Sequence, residues 1–268
     1  LVDDKEIRSL SSIFGYFQCM DFLQQDYLLI SGGPEEKRRF LDLSCSLLVP
    51  GYYNTLLKYN RALKQRNLQI KHDLENSTNH RHLWNDILAK TGIFLMQVRC
   101  SLVEKLLEMA RLRISQMVQT PIDLHIDYVP SVRRTDTESG FDAFVEKLKE
   151  TQRREDIFRS TIVGPHRDGL HFLNSGEDMR AFSSQGQIRM AVLSMKLAVI
   201  DLMRIDQNAY PVLMFDDAFI EIDKRNTQMI LDSLKDYNQC LFTSTSIPDI
   251  PFFSLLDETC LYAFPEGT

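Results

Sequence analysis

No two cysteines in this chain are spaced as CxxC. None of the five (Cys19, Cys45, Cys100, Cys240 and Cys260) forms a pair with a histidine close enough to suggest a structural zinc site. An odd number of scattered thiols reads as thiols kept reduced, which points to the cytoplasm. No apolar run approaches the roughly 20 residues needed to cross a bilayer. A charged-then-apolar leader is also missing, and the first residue is Leu1 rather than Met, so the expectation is a chain that begins inside a longer protein. Positive charge is scarce as well. Lys and Arg number 31 against 37 Asp and Glu, for a formal net charge of −6. Affinity for nucleic acid therefore has to come from local basic clusters. Also absent is GxxxxGK[ST], the loop whose amides and lysine cradle nucleotide phosphates.

What is present is ordinary globular material. Hydrophobic residues at 44% and charged residues at 25% suffice for a sizeable core, and 268 residues make one large domain or two small ones. Residues 1–30 read as a short apolar lead-in ending in Tyr27-Leu28-Leu29-Ile30. Ser31-Gly32-Gly33-Pro34 breaks the chain, and Pro34 with Glu35 and Glu36 describes a first helical turn with acids at its positive end. Apolar residues then recur at helical spacing to about residue 120, which predicts an all-helical lobe over 31–120.

The remainder, 121–268, mixes strands and helices. Leu124–Val129 alternates as a half-buried strand, Phe141–Arg154 is a charged helix, and Thr161-Ile162-Val163 reads as a strand stopped by Gly164-Pro165. Asn174-Ser175-Gly176 is a hairpin turn between Leu170–Leu173 and Met179–Phe182. Ile188–Arg204 is an amphipathic helix, Val212–Phe215 and Cys240–Phe242 are buried strands, and Thr227–Tyr237 is a helix between them. Such alternation predicts α/β packing.

Three short segments carry chemistry. Ser183-Ser184-Gln185-Gly186-Gln187 precedes the long helix, where a hydroxyl, free amides and the helix dipole favour an anion. The same residues also describe a plain N-cap with a tight turn. Asp216-Asp217 ends a buried strand, where α/β sheets place ligands. One carboxylate there can hold Mg²⁺ and the other can position water, although an acidic solvated turn would look the same. Leu241-Phe242-Thr243-Ser244-Thr245 is a second strand ending in hydroxyls. Basic residues gather at Lys37-Arg38-Arg39 and at Lys58, Arg61, Lys64 and Arg66. They suit phosphate contacts or, equally, a solvated face with intrahelical ion pairs. His166-Arg167-Asp168 is either a small polar site or a tied turn, and His125 reads as structural.

Five runs together resemble the RecF family, bacterial recombination and repair ATPases of the ABC/SMC-like class. They are Gly32–Asp42, Tyr59–Asn67, Thr161–Asp168, Ala181–Arg189 and Phe215-Asp216-Asp217. The resemblance covers nearly the whole chain. It implies the C-terminal part of an ABC-type ATPase head with an inserted helical lobe, residues 1–30 being a fragment of the ATPase lobe and 121–268 carrying the signature loop, Walker B strand and sensor strand. The implied cofactors are ATP and Mg²⁺. Ser183 to Gln187 would touch the γ-phosphate of ATP held by the opposite protomer of an ATP-dependent homodimer. Asp216 would be the metal ligand and Asp217 the catalytic carboxylate, with Glu221 and Asp223 in the D-loop and Thr243 and Thr245 at the sensor position. Lys37, Arg38, Arg39, Arg61, Lys64 and Arg66 become candidates for DNA contact. The implied partners are single-stranded or gapped DNA, RecR, RecO and RecA. In the family the phosphate-cradling loop lies near the N-terminus, so these 268 residues taken alone are expected not to hydrolyse ATP. The other reading is a scaffold that binds DNA or a partner without using nucleotide.

Overall fold

The computed structural model describes residues 18–76, 78–118, 121–132, 137–207, 210–217, 222, 224–235 and 237–243. Its first strand, β1 (Cys19–Leu23), is continued by a 3-10 turn (Gln24–Tyr27) and a single helical turn, α1 (Leu28–Ser31). Then come α2 (Pro34–Leu48), α3 (Tyr52–Asn76), a 3-10 turn at Arg81–Trp84, and the long α4 (Asn85–Met117). As the sequence predicts, Pro34 opens α2 with Glu35 and Glu36 in its first turn. Pro lacks only an N–H that no helix start can use, and the two acids face the positive end of the dipole.

After β2 (Leu124–Val129) lie α5 (Thr137–Glu150), α6 (Gln152–Phe158), a 3-10 turn (Pro165–Arg167), β3 (Gly169–Asn174) and β4 (Glu177–Asp178). The chain continues through α7 (Met179–Phe182), α8 (Gln185–Gln207), β5 (Val212–Asp216), α9 (Lys224–Leu234) and β6 (Cys240–Thr243). One sheet is antiparallel in the order β2-β3-β4, and the other is parallel in the order β1-β5-β6. Parallel neighbours require long crossovers, and here α8 and its preceding elements separate β1 from β5 while α9 separates β5 from β6.

Across the parallel sheet, Phe22, Phe215 and Phe242 stand in register. Their rings stack at 4.4 Å and 4.8 Å between centroids. Behind them α8 is buried on nearly every face, from Ile188 through Met203, as a helix sandwiched on all sides must be. Helix α4 crosses it, and Arg113 fixes the crossing with a two-pronged ion pair to Asp201 on α8, both bonds 2.6 Å. The Tyr237 hydroxyl donates to the same carboxylate at 2.9 Å. The second half of α4 (Val103, Leu106, Ala110, Ile114) joins the core beside the sheets. Its first half (Leu88, Leu95, Met96) joins a second core with α3 and α5. The helical segment and the sheets thus share one continuous helix.

The structure departs from the sequence reading at three places. β1 was not legible as a strand, because its partner β5 lies almost two hundred residues away. Thr161–Val163 is not a strand, because side chains rather than a neighbouring strand accept its amides. Thr161 N–H donates to Asn67 at 2.8 Å, Ile162 N–H to Glu155 at 3.4 Å, and Gly164 N–H to Ser131 at 2.8 Å. The hairpin turn forms as expected, with positive φ at Ser175 (52°) and Gly176 (85°), but its second arm is only two residues before α7 begins.

Candidate functional site

The parallel sheet brings the acidic tip and the hydroxyl strand together. In register, Leu23 faces Asp216 on one side and Thr243 faces it on the other. The Thr243 hydroxyl donates to Asp216 Oδ1, and Asp217 N–H donates to the Thr243 carbonyl at 3.3 Å. Asp216 is exposed, so its second oxygen faces solvent. Asp217 adopts the left-handed conformation, φ 48°, and its Oδ1 is buried without a hydrogen-bond partner among the described residues. A buried carboxylate oxygen left unsatisfied costs about 1–3 kcal/mol, and a left-handed non-glycine residue adds to that. Glu221, Asp223 and Thr245 lie outside the described residues.

Ser183–Gln187 sits at the exposed start of α8. Ser184 and Gln187 form a reciprocal capping box. Gln187 N–H donates to the Ser184 hydroxyl oxygen at 3.2 Å, and Ser184 N–H donates to the Gln187 side-chain oxygen at 2.9 Å. The first intrahelical bond is Ile188 N–H to Ser184 C=O, which leaves the amides of Gln185 and Gly186 without an acceptor inside the helix. The Ser184 hydroxyl proton also remains free to donate. No hydrogen bond joins this loop to Asp216 or Asp217 among the described residues.

The helix behind the loop is nevertheless tied to the sheet edge. Lys196 on α8, buried against the Phe22 ring, donates to the Asp21 carbonyl at 2.7 Å and pairs with Asp26 at 2.5 Å. Asp26 in turn accepts the Leu23 amide at 2.8 Å. Two turns nearer the loop, Arg189 donates to the Gln24 carbonyl at 3.2 Å. Sequence reading missed both cations. Their only sign was a charge set in the apolar pattern of α8, where an unpaired cation could not be buried.

The other three sequence runs converge elsewhere, in a buried polar network between the helices and the 161–168 loop. Arg99 of α4 bonds Asp42 at 2.7 Å and the Pro165 carbonyl at 2.7 Å, and it reaches Asp168 at 3.5 Å. Asp168 accepts from the Tyr128 hydroxyl and from Ser131 N–H. Burial raises the Asp168 pKa, against the pull of those hydrogen bonds and of Arg99. Gly164 is required here, since its φ is 126° and a Cβ would collide with the Tyr59 hydroxyl. His166-Arg167-Asp168 therefore ties the turn, and two of its three side chains are committed inward.

Arg66 is a correction. It is 1% exposed and gives both guanidinium ends to Glu155 at 2.8 Å, with further bonds to Asn85 and Thr161. It cannot meet a phosphate on the surface. Arg38 is half-buried and donates to the Asp168 carbonyl at 3.3 Å, while Lys37 lies over the Phe172 ring. Arg39, Arg61 and Lys64 are exposed. His125 is exposed and pairs with Asp127 at 2.9 Å. Burial pushes the thiols of Cys45 and Cys240 up to about 12 and about 11, which makes them inert.

His166 accepts from the Tyr59 hydroxyl at 2.6 Å, with its other nitrogen 3.0 Å from the Thr161 carbonyl, so the ring is neutral with a proton on Nε2. Burial first, then Arg167, Arg38 and Arg99, push its pKa down to about 4, against the Thr161 hydrogen bond. An unfolded histidine binds its proton near pH 6.5. Between those values the unfolded chain binds more protons, so folded stability is complete above about 6.5 and falls as pH drops toward 4. The expected loss is on the order of 3 kcal/mol. Urea midpoints at pH 7 and pH 4.5 should fall further apart in wild type than in His166→Gln, since the contribution of Asp168 is common to both. Equal separation would refute this.

No helix among the described residues is long and apolar enough to cross a membrane. No protein-family model matches the chain. Individual relatives do. A DNA replication and repair protein RecF of Shouchella clausii is 32% identical over all of this chain and 73% of its own length. Its counterpart in Streptococcus suis is 33% identical over 89% of this chain and 65% of its own. Two solved structures share the fold. A recombination mediator protein RecF with ATP superposes with a TM-score of 0.83 at 28% identity, over 92% of this chain and 67% of that one. The same protein with an ATP analogue gives 0.81 at 27%, over 90% and 66%. The chain thus spans about two thirds to three quarters of the length of these relatives.

Proposed function

Because the chain belongs to the RecF family, with the fold of an ABC-type ATPase head, we propose that it forms part of an ATP-dependent DNA repair clamp. One observation carries this reading: Asp216 and Thr243 share a hydrogen bond at the tip of two adjacent parallel strands, beside a strained Asp217 with an orphaned oxygen. Asp216 is the group to hold Mg²⁺, with the Thr243 hydroxyl bonded to it at the sensor position. Mg²⁺ keeps several waters and takes one or two carboxylates plus phosphate oxygens. When bound, Mg²⁺ would neutralise charge on the phosphate oxygens. Asp217 then orients an attacking water through its unpartnered oxygen. The exposed mouth of α8 offers the Ser184 hydroxyl and the amides of Gln185 and Gly186 to the γ-phosphate on a second copy, so that ATP closes a homodimer.

The DNA is single-stranded or gapped, and the partners are RecR, RecO and RecA. This extension rests on the family and on the word RecFOR attached to the solved relatives. The second reading, a scaffold that does not use nucleotide, draws on the absence of GxxxxGK[ST] from these 268 residues. The two separate on equilibrium ATP binding by the full-length protein, which the scaffold would lack.

Ser184→Arg tests the dimer. The substituent puts a bulky cation into the mouth of α8 and removes the cap hydroxyl. In sedimentation with ATP the full-length wild type should shift to a dimer and the variant should remain a monomer. Dimerisation of both would sink the reading.

A further inference from the structure

Lys147 of α5, Arg154 of α6 and Arg167 of the 3-10 turn rim one open pocket of about 360 Å³. Ser131 and Thr151 contribute hydroxyls to its wall, Phe158 contributes an aromatic face, and no carboxylate lines it. Cations converge there although the chain as a whole is net negative. Nearby acids are already committed. Glu155 is buried against Arg66, Asp156 pairs with Arg81 at 2.5 Å, and Glu150 takes Lys147 at 2.9 Å on the exposed side. Arg154 and Arg167 have no ion pair among the described residues, and Arg167 makes only long bonds, 3.4 Å, to the Thr161 carbonyl.

The pocket also has a neighbour of the same sign. Arg167 lies close enough to Arg38 to lower its pKa, after burial and Arg99. The cations thus run from α2 across the 161–168 loop into the pocket, with Asp168 and Glu35 offsetting the charge at the Arg38 end and no carboxylate lining the pocket itself. Phe158 is 61% exposed at the edge, which leaves its ring face open to stacking. Guanidinium groups beside an aromatic face match a phosphodiester with an unpaired base next to it.

We propose that this pocket seats a backbone phosphate of a nucleic-acid strand, with Phe158 stacking on the adjoining unpaired base. The proposal rests on the DNA-binding reading above and assigns it a contact surface separate from Arg61 and Lys64 on α3.

The test is fluorescence anisotropy of the full-length protein with a labelled oligothymidylate and a blunt duplex. Arg154→Gln/Arg167→Gln should weaken binding of both probes about tenfold or more and flatten its salt dependence. Phe158→Ala should weaken the single strand about fivefold or more and leave the duplex unchanged. Arg154→Gln alone, at an exposed residue with no ion pair, serves if the double variant fails to fold, and should still lose several-fold. Wild-type affinity in these variants, with Arg61→Gln/Lys64→Gln weakened, overturns the pocket and leaves the DNA reading standing. No binding by the unaltered protein overturns both. Inorganic phosphate competing as well as the oligonucleotide would assign the pocket to a free anion and overturn the strand.

Discussion

Asp217→Asn in the full-length protein is expected to lower Mg²⁺-dependent ATP hydrolysis by about 10²–10⁴-fold, the usual contribution of a positioned proton-accepting group. Asparagine is the informative substitution because of the backbone. Asp217 sits at φ 48°, a conformation that Asn and Asp tolerate and that most side chains resist. The variant therefore keeps the strand tip and changes only the charge and one acceptor. Its unfolding midpoint should match wild type or exceed it slightly, since a buried charge with an orphaned oxygen is removed. ATP binding should survive. Turnover within about tenfold of wild type, in a protein that binds ATP normally, would remove Asp217 from the reaction.

The largest effect on stability is expected at Arg66. Replacing it by Met leaves the Glu155 carboxylate, 0% exposed, without its bidentate partner, and strips Asn85 and Thr161 of a donor. Breaking a buried pair from one side costs about 3–5 kcal/mol. In a chain of this size that lowers the melting temperature by roughly 10 °C. The double variant Arg66→Met/Glu155→Leu should recover much of the loss, because what destabilises is the uncompensated charge rather than the missing attraction. A single variant within 1 kcal/mol of wild type by urea denaturation would show that water reaches Glu155 and that the network is not sealed. Arg66 belongs to a basic run on α3 yet faces the interior, and the same experiment separates a fold residue from its exposed neighbours Arg61 and Lys64.

What could be read in the sequence follows from how far apart interacting residues lie along the chain. The strand tips at Asp216 and Thr243 and the α8 start at Ser184 are local features. Each is an apolar run ending in polar groups, or a capping residue with a glutamine three positions on, and each can be recognised within a few residues. The sheet places Asp216 against Thr243, an adjacency that neither segment shows by itself. The network around Asp168 could not be read in this way. Arg99 to Asp42 and Arg66 to Glu155 join residues 57 and 89 apart, and nothing near Arg66 announces an inward course. Thr161–Val163 misled for a related reason. Three β-prone residues before Gly-Pro look like a strand, but the amides of Thr161 and Ile162 belong to Asn67 and Glu155, and that of the following Gly164 to Ser131. The signal that was available was Arg99 within the apolar stretch Leu95–Val103, since a cation at a core position implies a hidden acceptor.

The two grips of α8 on the turn after β1 have a mechanical consequence. Arg189 and Lys196 lie seven residues apart, close to two full turns, so both hold the turn from the same side of the helix. A rod fastened at two points along one side can neither roll about its axis nor slide without dragging its anchor. Any pull exerted at residue 184 therefore reaches Leu23 as a displacement of the β1 edge. Because β1 borders the strand that carries Asp216, the start of α8 and the carboxylate tip are joined through shared bonds rather than by direct contact.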